Sequence, residues 1–271
     1  MMVNSNKKND VHDFWDKSSC GEELFMSTYD KDNFLFQSKK RYELEPYIAD
    51  FADFKSTKNK NILEIGVGLG ADHQKFIEAG ANTTGIDLTG RAIKNTETRL
   101  GLFGLKSSLS VCDAENLKFD DNSFDEVYSW GVIHHSPDTK KAVKEIRRVL
   151  APEGVAKVMI YHKWSIVGMM LWFRYALMVF KPFTSLDKIY ASYLESPGTK
   201  AYTKDEALEL FRDFSEVKIK TVLTHGDLLT SDAGQRHEGK LLNIARRIWP
   251  RFLIKLFFPR AGLFMLIKAI K

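Results

Sequence analysis

The sequence predicts an α/β fold built on a parallel sheet. Two observations carry this. Over residues 61–161, five short strand-like runs alternate with segments of helical spacing. The first run ends in glycines, the second at Asp87 and the third at Asp113, where an open α/β sheet delivers its ligand-binding loops. Strands separated by helices join through right-handed crossovers, so the runs fall into one sheet.

Residues 1–60 read as a mainly helical preface. In 34-FLFQSKKRYELEPYIADFADF-54, apolar residues fall at 44, 47, 48, 51 and 54, with Pro46 at a helix start or kink. Ile62–Ile65 is the first strand, and the helix after it runs to about Glu78 and stops at Gly80. Thr83–Ile86, Leu109–Cys112, Phe124–Ser129 and Val155–Tyr161 are the next four strands, with a helix at Arg91–Leu100. Asp138 caps a helix through Leu150, and Pro152-Glu153-Gly154 makes a turn. Beyond 161 the alternation breaks. The apolar stretch 164–183 is too short for a membrane span and is interrupted by Arg174. Thr203 and Glu206 form a capping box opening a helix to about Phe214, and Val217–Leu223 is a sixth strand. Residues 225–261 form an insertion with helical text at Leu241–Trp249, and Gly262–Ile270 is a last strand.

The 271 residues suit a single domain: a 1–60 preface or lid, a 61–162 cofactor-binding core, and insertions at 163–215 and 225–261 that shape an acceptor site. A net charge of +5 without a dense basic stripe argues against nucleic acid. Cys20 and Cys112 are too few and too far apart for a zinc knuckle or a disulfide framework. The N-terminus lacks the apolar core of a signal peptide, which points to the cytoplasm.

The stretch 61-NILEIGVGLGADHQKF-76 holds Gly66-x-Gly68-x-x-Ala71, one form of the dinucleotide fingerprint. Such a turn brings backbone amides close to a ligand, and several nucleotide cofactors use it. Glu64, two residues upstream, would repel a pyrophosphate and suits an ammonium beside a sulfonium. Asp87 can take ribose hydroxyls in either kind of site. Asp113 can accept from an adenine amino group, or simply form an Asx turn.

Together, LEIGVGLGAD, TGIDLTGRAI, VCDAENLKFDDNSFDEVYSWGVIHHSPD and EIRRVLAPEGVAKVMIYH resemble the class I S-adenosylmethionine-dependent methyltransferases over residues 60–162. The resemblance implies a Rossmann-like, seven-stranded, mostly parallel sheet of order 3-2-1-4-5-7-6, with GLFMLIKAI as the antiparallel seventh strand. It implies S-adenosyl-L-methionine as cofactor. Glu64 and the loop Gly66, Gly68, Gly70 would face its methionine part. Asp87 would hold the ribose, Leu88 would lie beside the adenine, and Asp113 and Ala114 would bind the adenine edge. Ser129 and Trp130 would close the site from beneath. The turn at 151–154 departs from the family's usual Pro-Gly-Gly, a conservative change.

Methyl transfer is an in-line displacement in which the protein positions, desolvates and, where needed, deprotonates the acceptor. His134, just past strand four, is the best-placed candidate for a general base, with a structural role tying its loop to backbone groups as the alternative, and His162 past strand five is a second candidate. His225 follows strand six. No pair of ligand type has metal spacing on one helix face, so no metal is expected. Arg41 reads as a methionine-carboxylate partner or, more simply, a surface salt bridge. The acceptor is expected to be a small molecule. The stretches 164–183 and 248–262 read as an acceptor lid or core, as peripheral contact with a membrane, or as a homodimer interface. The competing functions are an NAD(P)-dependent oxidoreductase and a non-catalytic, membrane-docked cofactor-binding module.

Overall fold

The computed structural model describes residues 2–231 and 246–271. Helices α1 (Met2–Lys17), α2 (Glu22–Phe25), α3 (Lys31–Leu44) and α4 (Tyr47–Ala52) form the preface. The core follows as β1 (Asn61–Ile65), α5 (Ala71–Glu78), β2 (Asn82–Asp87), α6 (Gly90–Leu102), β3 (Ser108–Val111), β4 (Phe124–Trp130), α7 (Thr139–Val149) and β5 (Leu150–Tyr161). Then come α8 (Ile166–Trp172), a π-helical turn (Phe173–Leu177), α9 (Leu186–Tyr193), α10 (Lys204–Leu210), β6 (Glu216–Val222), α11 (His225–Leu228), α12 (Arg251–Phe257) and β7 (Phe264–Ile270). The helical text at 241–249 lies outside the described residues as far as 245.

The sheet order is β3-β2-β1-β4-β5-β7-β6. Strand β7 is antiparallel to both β5 and β6, and every other pairing is parallel. Strand β6 therefore points the same way as β5, and the ends of β1 to β6 share one rim. The strands at the middle of the sheet, β1, β4, β5 and β7, are mostly buried on both faces, whereas β2, β3 and β6 towards its edges are partly exposed and more polar. Alternate side chains go to opposite clusters. Val158 and Ile160 of β5 join an aliphatic cluster with α7, whereas Met159 and Tyr161 join an aromatic one with Trp130 and α4.

Two expected boundaries move. The capping box at Thr203 forms, but its helix ends at Leu210 rather than near Phe214. Strand β5 starts at Leu150 rather than Val155, because Leu150 already pairs with Phe124. The turn at 152–154 survives as an irregularity in that strand, with Glu153 at φ 62°.

The preface is fastened to three successive strand-end loops. Arg41 of α3 grips Asp72, after β1, through Nη2–Oδ2 at 2.6 Å and Nε–Oδ1 at 3.2 Å. Arg91, at the start of α6 after β2, pairs with Glu22 of α2 at 2.5 Å. Lys8 of α1 reaches Asp113 at 2.5 Å and Glu115 at 2.7 Å, after β3. Arg41 is thus no surface pair: the Asp72 side chain is 2% exposed and also accepts from Tyr42 and Tyr128. Burial works against the Asp72 anion, but Arg41 and the two hydroxyls outweigh it and hold its pKa below the ordinary value.

Candidate functional site: one cavity on the strand-end rim

A cavity of about 1100 Å³ opens along the rim. Its lining includes Glu64, Gly66, Gly68, Gly70, Asp87, Leu88, Asp113, Ala114 and Trp130. Its far part is apolar, with Met169, Met170, Phe173 and Met178 from the first insertion and Trp249 from the second. One cavity thus joins the cofactor-type residues to the variable insertions.

The glycine loop has the shape a cradle needs. Gly66 has φ 86°, and a Cβ there would lie 2.1 Å from Val132 Cγ2. Gly68 has φ 53°, and a Cβ there would meet nothing within 4 Å, so its backbone faces open space. Only glycine enters both conformations freely. Asp87 Oδ2 accepts from the Gly68 amide at 3.2 Å, and Oδ1 from the Thr89 amide and hydroxyl at 3.0 Å. Burial pushes the Asp87 carboxyl up, against the pull of those amides. A carboxylate has about four acceptor positions and three are taken, so a pair of ribose hydroxyls fits when it displaces the Thr89 hydroxyl. Glu64 Oε2 lies 2.9 Å from His73 Nδ1 in a buried pair, and burial pushes the Glu64 carboxyl up. These residues fit an amino-acid-bearing nucleoside. They do not suit a pyrophosphate, which would meet the Glu64 carboxyl.

Asp113 forms the Asx turn, accepting from the Glu115 amide at 2.9 Å, while its other oxygen takes Lys8. A ligand at this edge shares the carboxylate with Lys8. Ser129 does not line the cavity: its side chain is fully buried, and its hydroxyl has no partner among the described residues. It points into the opposite face of β4 from Trp130, as strand alternation requires.

The histidines need a larger correction. His134 is fully buried and is not part of the cavity wall. Its ring packs between His135 and Tyr161, with centroids at 4.2 and 4.1 Å, and neither nitrogen has a partner among the described residues. Burial, then His135 and Lys200, hold its pKa well below the ordinary imidazole value. His162 is also out of the wall, with Nδ1 3.2 Å from the Gly262 carbonyl. The histidines that do line the cavity are His135 and His225. His135 Nδ1 sits 2.8 Å from Ser196 Oγ and 3.1 Å from Thr199 Oγ1, and Nε2 lies 3.4 Å from a Glu195 oxygen. Tyr161 donates to the same Glu195 oxygen at 2.7 Å.

His134, His135 and Glu195 present ligand-type atoms within 4.8 Å of one another. Ligands of a tetrahedral zinc ion stand about 3.4 Å apart, so this set is looser than a formed metal site. An acid–base pair is the better description of His135 with Glu195. Sequence spacing could not reveal Glu195, because it lies 60 residues downstream in an insertion without a motif.

The sheet order, the glycine loop and the acid ending β2 are those of the Rossmann-like class I methyltransferase fold. Residues 63–158 match the methyltransferase domain family. Among particular relatives, the chain is 36% identical over 118 residues to phosphoethanolamine N-methyltransferase 2 of Caenorhabditis elegans, covering 43% of this chain and 26% of that protein. It is 33% identical over 124 residues to sterol 24-C-methyltransferase of Aspergillus fumigatus, covering 45% and 32%. The chain thus matches under a third of the length of these relatives. In fold it is similar to phosphoethanolamine N-methyltransferase 2 of Haemonchus contortus, solved with phosphomonomethylethanolamine and S-adenosylhomocysteine. That likeness has a TM-score of 0.58 at 16% identity, over 96% of this chain and 60% of the other.

Proposed function

We propose that the protein transfers a methyl group from S-adenosyl-L-methionine to a small apolar acceptor, with His135 as general base. The observation that carries this is the single cavity. It has Asp87 and an open glycine backbone in one part and a wall of methionine and aromatic side chains in another. The bound cofactor supplies an electrophilic methyl group. Glu64, Gly68 and Asp87 hold and orient it. The apolar wall excludes water from the acceptor. His135 Nε2 takes the acceptor's proton, and the neighbouring Glu195 carboxylate stabilises the resulting imidazolium. The sterol-methylating relative supports an apolar acceptor, since its name gives a substrate of that class.

Calorimetry and a transfer assay test this reading together. S-adenosylhomocysteine is expected to titrate one site with a Kd of about micromolar order, and NADH is not. Label from methyl-tritiated S-adenosyl-L-methionine should enter the organic phase of a total lipid extract. Titration by NADH but not by S-adenosylhomocysteine would overturn the proposal in favour of an oxidoreductase.

A further inference from the structure

We infer that the protein docks in the plane of an anionic lipid bilayer through the two insertions at its cavity mouth, and that its acceptor is an amphiphile drawn from that bilayer. The second clause rests on the methyltransferase reading above; the first does not.

Apolar exposure is concentrated in two places. Of 22 exposed large hydrophobic side chains among the described residues, 14 fall within 164–183 and 248–258. At the tip of the first stretch, Phe180 is 93% and Phe183 100% exposed. In the second, Phe252 and Phe257 are 74% and 66% exposed. Exposing this much contiguous apolar surface to water is costly, and such surface marks a contact. The sequence left lid or core, membrane contact and homodimer interface open for these insertions. Met169, Phe173 and Met178 line the cavity and are each about half exposed at its mouth.

The two stretches are parts of one structure. Asp227 of α11 accepts from the Val167 amide of α8 at 3.1 Å, and its carbonyl accepts from Trp249 Nε1 at 2.9 Å. Arg251 at the start of α12 donates to the carbonyls of Leu228 and Leu229, both at 2.9 Å. Both insertions therefore flank the same mouth, and the acceptor part of the cavity opens between them.

Charge selects the partner. Residues 164–183 and 246–262 carry Arg174, Lys181, Arg246, Arg247, Arg251, Lys255 and Arg260, and no acidic residue. Aromatic and aliphatic side chains interspersed with cations suit the boundary between headgroups and acyl chains of an anionic leaflet. A second copy of the chain would bring seven cations against seven. No helix among the described residues is long and apolar enough to cross a membrane, so the contact lies in the plane of the surface. A cavity whose wall continues into that surface receives its acceptor without passage through water.

Vesicle sedimentation of the full chain tests this. Vesicles of phosphatidylcholine with roughly 30% phosphatidylglycerol should pellet the protein, and pure phosphatidylcholine should pellet at least about tenfold less. Phe180→Ser/Phe183→Ser, at positions that contribute nothing to the core, should cut pelleting on anionic vesicles about tenfold. Lys181→Glu/Lys255→Glu should do the same, while S-adenosylhomocysteine affinity stays unchanged in both variants. A protein that stays in the supernatant with anionic vesicles overturns the docking inference, even if it binds S-adenosylhomocysteine normally. A dimer in sedimentation velocity that the serine variants dissociate overturns it too, because the face would then be a self-interface. Strong vesicle binding with no S-adenosylhomocysteine titration would sink the methyltransferase reading and leave docking standing.

Discussion

Replacing His135 by alanine is expected to slow methyl transfer to the lipid extract by about 100- to 1000-fold, with S-adenosylhomocysteine affinity within about threefold of the parent. The asymmetry follows from position. His135 lines the cavity beside Glu195, on a segment distinct from the glycine loop and from Asp87. Removing it takes away the proposed proton acceptor and leaves Glu64, Gly68 and Asp87 in place. A conformational defect would instead move affinity and rate together. Two controls sharpen the result. Glu195→Gln should lower the rate by about tenfold, since it weakens the stabilisation of the imidazolium without removing the base. His162→Asn should keep the rate within about threefold, because that ring serves the Gly262 carbonyl and not the cavity. An unchanged rate in His135→Ala would remove the histidine from the chemistry.

The second large effect is expected at Asp87. Asp87→Ala should weaken S-adenosylhomocysteine binding by about two orders of magnitude or more. A hydrogen bond to a charged group contributes about 1.5–3 kcal/mol, and a ribose offers two. The same carboxylate accepts from Gly68 and Thr89, so alanine also loosens the loop. Asp87→Asn separates the two effects, since it keeps the size and one acceptor oxygen. Its melting temperature should stay close to that of the parent while its affinity still falls by about tenfold. Parental affinity in both variants, measured by calorimetry, would place the nucleoside elsewhere in the cavity.

The sequence contained the sheet and the glycine-loop end of the cavity for a physical reason. Both are encoded over short distances. A strand buried on both faces is a continuous apolar run, and the turn after it needs Gly66 and Gly68 within three residues. The end of the cavity walled by the insertions was hidden because its contacts are distant in sequence. His134 and His135 are indistinguishable in a string of letters, and only the curl of the loop after β4 turns one inward and the other to the cavity. Glu195 meets His135 across 60 residues, and Arg41 meets Asp72 across 31. Ser129 failed for a simpler reason, since side chains one apart on a strand take opposite faces. Asp72 followed Ala71 in plain view, as an acid in the first turn of α5, a placement with its own ordinary explanation.

The Asp72 node has a consequence for how the active site can open. A removable flap would leave a sound enzyme behind when cut away. Here the preface carries the cation that neutralises a carboxylate sealed beneath the glycine turn. Stripping a partner from a buried ion pair costs about 3–5 kcal/mol, a large share of the 5–15 kcal/mol that holds a typical domain together. A chain truncated before residue 60 is therefore expected to melt far below the intact protein, not to work with an open door. With α3 held in this way, the N-terminal segment around Arg41 is a foundation, and entry to the cavity is expected past the greasy, cationic mouth.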